Sequence, residues 1–411
     1  MTLLLAVLAL TPAADWPQFL GPSRDGVSIE VGLNLDWQAH PPKVLWKVPL
    51  GRGFSSVAAV GGRLYTMAER DTRSVAVAFD AATGRELWVR DLAAGYVDLE
   101  VNAVGPRATP TVVDGHLYCL LPRGELFNLR ADDGTVVWQV NALAAVGGSD
   151  LHKAEAYFWG LAGSPLVEAG RVIVQPGHRD GGSVAAFDAA TGKLAWKAGD
   201  DPPGYCPPIV ATLAGRRMLV CGTGVSFLGL DPATGAVLWR HPFGSKINCN
   251  CAIPLVVDGK LFVSSAYRVG CALIEVLPAG DGFTTREVWK NREMQNHYAT
   301  SMVHRGYAYG SHGDKQERLA SFRCIEVATG KLQWEEPKLR KCSPILAAGH
   351  LIVLGERGTL WLVEANPSRY VEKGELPGVL AHKAWAPPAL SDGRLYLRDE
   401  THLACVDLRK P

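Results

Sequence analysis

The chain has 411 residues, enough for one large domain or two ordinary ones, and 47% are apolar, so a sizeable core can be buried. The formal net charge of +1 supplies no global attraction to nucleic acid or to an acidic membrane surface. The 44 glycines and 26 prolines are scattered, which fits many tight turns better than a disordered tail.

The N-terminus opens with Met1-Thr2, an apolar run over 3–10, and then Thr11-Pro12-Ala13-Ala14. This reads as a signal peptide over 1–14, cleaved at small residues near Ala14, although the usual basic start is missing. Export to the periplasm or cell envelope is therefore expected. The first cysteine is Cys119, so none is placed to carry an N-terminal lipid, and no later apolar run is long enough to span a bilayer. Residues 15–43 form an extension, and 44–50 read as an isolated strand carrying Trp46.

One unit then recurs, Asp-x-x-Thr-Gly-x-x-x-Trp. It is complete at Asp80–Trp88, Asp188–Trp196 and Asp231–Trp239, near-complete at Glu326–Trp334 and weaker at Arg130–Trp138. Acid and Thr oxygens can hold backbone N–H groups in a tight turn, and Gly supplies its positive φ. The Trp four residues later lies on the strand that resumes. Upstream of each unit, two apolar strands flank a turn such as Asp114-Gly115, Asp258-Gly259 or Asp392-Gly393, a strong hairpin signal. Each repeat is thus a four-stranded antiparallel sheet.

Eight such sheets are predicted, over 54–90, 107–140, 160–197, 206–240, 250–290, 299–335, 342–376 and 385–408. The architecture is an all-β, eight-bladed propeller over 44–411. The seventh blade lacks the Trp, with Tyr370 as its expected substitute, and the eighth has only three strands. Residues 44–50 supply the missing outer strand and close the ring. Trp46, Trp88, Trp138, Trp196, Trp239, Trp289 and Trp334 are expected to dock each blade on the next. Each buries roughly 150–250 Å², an upper bound of about 4–6 kcal/mol apiece.

These repeats resemble the PQQ-type (quinoprotein alcohol dehydrogenase-like) propeller family over nearly the whole chain after residue 15. The opening Asp15-Trp16-Pro17-Gln18-Phe19-Leu20-Gly21-Pro22, with Arg24-Asp25-Gly26, is similar to exported PQQ-like propellers of environmental bacteria such as planctomycetes. Gly105–Pro110 and Leu395–Arg398 are similar to that group as well. The outer-membrane-assembly lipoprotein with the same propeller is a more distant relative. The resemblance implies a cofactor site only where an adjacent Cys-Cys disulfide, a stacking Trp and a Ca²⁺ site with carboxylate ligands are present. Here the nearest match is Cys249-Asn250-Cys251, with one residue between the cysteines. No cofactor is expected, and PQQ with Ca²⁺ is the alternative that the family supplies.

Chemistry-bearing motifs are missing: there is no phosphate-binding G-x-x-x-x-G-K-[S/T], no G-x-S-x-G, no H-E-x-x-H and no C-x-x-C. Cys249 and Cys251 can hold a soft metal together with Cys271 or a histidine, or else be structural. Of the nine cysteines, Cys206 and Cys221 flank one hairpin and are the best candidates for a cross-strand disulfide. Loops on one face of the ring carry candidate ligand-binding residues: Arg107, Trp159, Arg179, Asn250, His297, Tyr298, Lys341 and Trp385. Nearby loops add His152, Tyr157, Phe158, His312, Lys315, Glu356, Arg357 and Arg398. An aromatic and cationic mouth suits an anionic or extended peptide ligand, and the same residues also fit a solvated loop face with local ion pairs. His297 reads as a hydrogen-bonded histidine rather than a base. The expected function is a non-catalytic, exported scaffold that binds protein, peptide or carbohydrate and not nucleic acid. A PQQ-dependent dehydrogenase oxidising alcohols or sugars is the alternative, and a purely structural envelope component is the third reading.

Overall fold

The repeated turn is built as its residue types dictate. Asp80 Oδ1 accepts from the Thr83 backbone N–H (2.9 Å) and hydroxyl (2.7 Å), and Asp188 holds Thr191 in the same way (2.8 and 2.7 Å). The next residue turns left-handed, at φ +72° for Gly84 and +71° for Gly192, which a residue with a Cβ rarely adopts. The turn joins the third strand of a sheet to the fourth, and a bulge there lifts the Trp out of simple register, as between Ala186↔Trp196 and Phe187↔Leu194.

In the computed structural model, which describes residues 14–98, 103–148, 159–314 and 317–411, eight such sheets form an all-β propeller. Blades 1 to 7 run over 58–94, 111–141, 166–198, 209–242, 255–291, 302–336 and 342–376. Blade 8 takes three strands from 389–407 and its outer strand from Lys43–Pro49, which pairs antiparallel with His402–Asp407. The inner two or three strands of each blade are buried on both faces, as in Arg394–Arg398 and His402–Asp407, and the fourth alternates toward water. Most of the expected signal peptide, 1–13, lies outside the described residues, as do His152, Tyr157, Phe158 and Lys315.

Neighbouring blades meet through one contact used repeatedly. The indole of one blade lies over the turn glycine of the next: Trp46 on Gly84, Trp88 on Gly134, Trp138 on Gly192, Trp196 on Gly235 and Trp289 on Gly330. A Cβ at any of these glycines would stand 2.5–2.8 Å from the ring. The indole N–H donates to a carbonyl three residues before the glycine, from Trp88 to Ala131 (3.2 Å), Trp138 to Ala189 (2.9 Å) and Trp289 to Val327 (2.9 Å). Trp46 makes the same bond to Ala81 (3.3 Å), so the closing strand also clasps blade 1.

Two blades depart from this rule. Blade 5 replaces the Thr-Gly turn with a long hairpin, Gly270–Ala279 onto Gly282–Asn291. Trp239 therefore meets no turn glycine there. Its ring folds over Gly229 of its own blade and its N–H points at Met218 Sδ (3.2 Å), buried in the core shared with blade 5. In blade 7 the expectation for Tyr370 is corrected. The bulge register Val363↔Glu372, Leu362↔Gly374 puts Gly374 at the Trp position. Trp37 of the extension packs directly on that glycine, 3% exposed, with its N–H bonded to the Asn34 carbonyl (3.0 Å). Tyr370 instead receives Trp334 edge-on at 5.8 Å.

The extension crosses one end of the ring and touches blade after blade. Trp16 pairs with Ala59 of blade 1, and the Pro17 carbonyl accepts from Val112 of blade 2. The buried Arg24 guanidinium donates to Thr111 and to the Ser164, Pro165 and Pro208 carbonyls of blades 2 to 4 or their lead-in segments. Gly26 meets Met302 of blade 6, and Val27-Ser28 pairs parallel with Leu346-Ala347 of blade 7. Glu30 accepts from Gly393 of blade 8 (2.6 Å).

All nine cysteines are separate thiols. The proposed Cys206–Cys221 bridge is absent because the register Ile209↔Val220, extended, carries Cys206 past Cys221 toward Thr223. Cys221 lies opposite Leu228 on the other side of its strand.

The indole–glycine contact predicts a coupled mutant cycle. Trp196→Ala is expected to cost about 3–5 kcal/mol, the range for aromatic deletion in a core. Gly235→Ala, with φ +76° and a Cβ 2.5 Å from the Trp196 ring, destabilises by both strain and clash. With Trp196 already truncated, only the left-handed strain of roughly 1–2 kcal/mol remains. Urea melts of the four proteins give the coupling; additive effects would mean that ring and glycine do not touch in solution.

Candidate functional site

The segment leading into each innermost strand ends at the ring axis, so eight blades deliver eight short stretches to one place. They enclose a cavity of about 670 Å³. Blade 1 supplies Phe54, blade 2 Arg107 and Thr109, blade 3 Trp159, blade 4 Tyr205, blade 5 Cys249 and Cys251, blade 6 His297 and Tyr298, blade 7 Lys341, and blade 8 His382, Lys383 and Trp385. Loops between second and third strands add Tyr267, Glu356 and Arg357, and Phe19 of the extension reaches in as well.

One wall is a run of rings. Phe54 stacks on Trp385 (4.9 Å, 28°), and Trp385 stacks on Tyr298 (5.2 Å, 27°). His297 stands edge-on to Tyr298 and to Tyr267, sharing a 2.7 Å hydrogen bond with the Tyr267 hydroxyl. Across from these, Trp159 meets Tyr205 edge-on at 5.1 Å. Cations lie over the rings: Lys383 Nζ is 4.7 Å from the Trp385 ring centre and Arg107 is 5.0 Å from that of Phe54. Burial, with Cys249 and Cys251 close by, pushes the Tyr267 phenol well up, so it stays a neutral hydroxyl.

The charges are held by the scaffold. Arg107 is oriented by Asp98, which is fully buried, at 2.5 Å. Glu356 is the one acid among the described lining residues; its carboxylate accepts the Trp385 indole N–H (2.5 Å), and its backbone N–H donates to the Lys341 carbonyl (2.9 Å). The 381–385 loop hangs on Asp399. Burial alone would raise that carboxyl, but backbone N–H groups of Ala381, His382, Thr401 and His402 outweigh it and hold it below the usual carboxylate range.

Six of the eight candidate residues therefore share this cavity: Arg107, Trp159, His297, Tyr298, Lys341 and Trp385. The other two do not line it. Arg179 is exposed on a turn after the second strand of blade 3. Asn250 turns into the wall, where its amide donates to the Thr223 (2.8 Å) and Phe243 (2.7 Å) carbonyls. Arg398 is also structural, buried against the Ser55 and Met67 carbonyls. Cys271 lies away from the Cys249–Cys251 pair, its thiol donating to Asn291 (3.1 Å), and among the described residues no three His, Cys, Asp or Glu side chains gather to hold a metal ion. Phe54 and Tyr205 were missed from sequence, yet they occupy the same lead-in position as Arg107 and Trp385. Phe19 had no such signal.

A family model described as outer membrane protein assembly factor BamB matches residues 32–158 and, in an overlapping alignment, 73–336. The chain is 22% identical over 371 residues to outer membrane protein assembly factor BamB of Yersinia pestis, spanning 85% of this chain and 84% of that one. It is 31% identical over 142 residues to the dehydrogenase subunit of the quinone alcohol dehydrogenase of Gluconacetobacter polyoxogenes, which is 30% of this chain and 17% of that one. Among solved structures, BamB from Moraxella catarrhalis superposes with a TM-score of 0.63 at 14% identity, covering 90% of this chain and 98% of its own. Quinohemoprotein alcohol dehydrogenase ADHIIG from Pseudomonas putida superposes with a TM-score of 0.66 at 14% identity, covering 97% and 81%. At these identities the superpositions speak for the fold alone.

Arg107→Ala removes the guanidinium paired with Asp98 at 2.5 Å and should cost about 1.5–3 kcal/mol in a urea melt, the range for a hydrogen bond to a charged group, with Arg107→Ala/Asp98→Asn recovering part of the loss; equal losses in the two proteins would refute the pairing. His312, at the end of the second strand of blade 6, is held neutral by burial and by Arg323, its pKa lowered to about 4. The unfolded chain takes up a proton there near pH 6.5, so stability should fall as pH drops from about 6.5 toward 4. Melts of His312→Gln should show a flatter slope over that window.

Proposed function

The chain belongs to the family of PQQ-type propellers whose model is that of outer membrane protein assembly factor BamB, and from this premise we propose that it is a non-catalytic binding scaffold of the cell envelope. Its partner is a protein, which presents an extended segment to the aromatic and cationic cavity. The observation that carries this reading is the wall Phe54–Trp385–Tyr298 with Arg107 and Lys383 over its rings. Stacked rings take flat apolar or aromatic side chains, and flanking cations take carboxylates. The end-to-end alignment with the Yersinia assembly factor favours a role in outer-membrane protein assembly over one shared with the dehydrogenases, which align over 17% of their length. No helix among the described residues is long and apolar enough to cross a membrane, and the short apolar run at 3–10 is consistent with export.

The second reading is a PQQ-dependent dehydrogenase, favoured by the 31% identity over 142 residues. The donor set does not fit that cofactor with Ca²⁺. Cys249 and Cys251 are separated by an Asn250 that is turned into the wall, and Glu356, the one acid among the described lining residues, already accepts an indole N–H. Hard cations need several oxygen ligands at once, and these residues do not converge on one point.

Fluorescence titration separates the two readings. Peptides of alternating aromatic and acidic residues, of the kind found in outer-membrane β-strands, should bind the purified chain and change its Trp emission. Trp385→Ala should weaken binding about tenfold, or ~1.4 kcal/mol. Undiminished binding to Trp385→Ala, or stoichiometric uptake of PQQ with Ca²⁺, would overturn the proposal.

A further inference from the structure

Cys249 and Cys251 both line the cavity, and their sulfur atoms stand 3.4 Å apart. The backbone between them is fixed on all sides. The Cys249 N–H donates to Ser245 Oγ (3.0 Å), and the Cys249 carbonyl accepts from Ser265 Oγ (3.0 Å). The Asn250 carbonyl accepts from the Tyr205 N–H (2.8 Å), while its side chain is tied into the wall. With the middle residue turned inward, the two flanking thiols are presented together to the cavity. The other seven cysteines are fully buried within or beside the sheets, where burial pushes thiols up and keeps them inert, as for Cys119, Cys206, Cys324 and Cys342. Cys251 alone of the nine is partly exposed.

We propose that Cys249 and Cys251 form a dithiol–disulfide exchange pair whose substrate is a small-molecule or peptide disulfide entering the cavity. In the first step Cys251, having released its proton to solvent, attacks one sulfur of the substrate disulfide. The S–S bond breaks and the other half leaves as a thiolate that takes up a proton. In the second step Cys249, also deprotonated, attacks Cys251 Sγ, a new S–S bond forms, and the remaining half leaves as a thiol. The two cysteines together lose two electrons and two protons, and the substrate disulfide gains both. The sulfurs need only close from 3.4 Å to the ~2.05 Å of a disulfide. The Tyr267 hydroxyl, beside Cys249 and hydrogen-bonded to His297, offers the second proton a way out. This chemistry does not depend on what the aromatic wall binds.

The test uses the full chain, reduced, desalted and mixed with oxidised glutathione, with blocked-cysteine peptide mapping by mass spectrometry as the readout. The expected product is an intramolecular Cys249–Cys251 disulfide without retained glutathione. Cys249→Ser should stall at a glutathione adduct on Cys251, and Cys251→Ser should slow the reaction at least a hundredfold. Thermal melts monitored by circular dichroism check that both variants are folded, and a Cys251→Ala variant stands in if Cys251→Ser is not. A wild-type chain that keeps glutathione on Cys251, or a folded Cys251 variant that reacts as fast as the wild type, would overturn the proposal.

Discussion

An indole lying flat on a glycine holds this ring together. The two residues serve in different ways. The glycine supplies a turn that only a residue without a Cβ makes easily, and the same missing atom opens the slot into which the preceding blade inserts its Trp. The indole N–H then donates to a carbonyl of the same turn, so a hydrogen bond fixes the ring as well as packing does. Glycine and Trp from one copy of the repeat therefore act at opposite interfaces. The motif is a linker as much as a local structure, and nearest-neighbour coupling of this kind is what lets repeat architectures add stability unit by unit.

The exceptions replace that contact with others. Where blade 5 exchanges its turn for a long hairpin, Trp239 loses its glycine and finds another in Gly229 on its own blade. Where blade 7 has a glycine at the Trp position, a Trp from outside the repeats, Trp37, occupies the space. In both places an indole still covers a glycine, but one in a strand and not the turn glycine of the next blade, and Trp334 meets blade 7 through the Asn366 carbonyl and Tyr370 instead.

Most of the fold could be read from the sequence because its signals are periodic. The acid, Thr, Gly and Trp recur at fixed offsets, and residues 44–50 complete a blade that is one strand short. Tyr370 misled because an aromatic close to the expected position is a natural substitute, whereas a one-residue bulge put Gly374 there. Trp37 carried no periodic cue at all. The cavity was partly legible: lead-in loops point to the axis in any propeller, which located Arg107, His297, Tyr298 and Trp385. Which side chain of a loop faces inward depends on local backbone geometry, and so Asn250 was taken for its neighbours Cys249 and Cys251. Phe19 could not be found, since a contact between the extension and the central cavity leaves no pattern in a linear sequence.

The closing strand has a consequence for how the chain reaches its folded state. Lys43–Pro49 is synthesised before every other strand of the blades and His402–Asp407 after every other one. Until that last strand exists, one end of the forming blade stack offers a row of unpaired amides and carbonyls, and Trp46 has no sheet to brace it against blade 1. Contacts this distant in sequence form slowly, and an exposed strand edge invites association with other chains. A cell making this protein therefore gains from keeping the nascent chain apart from its copies until the last blade has been made.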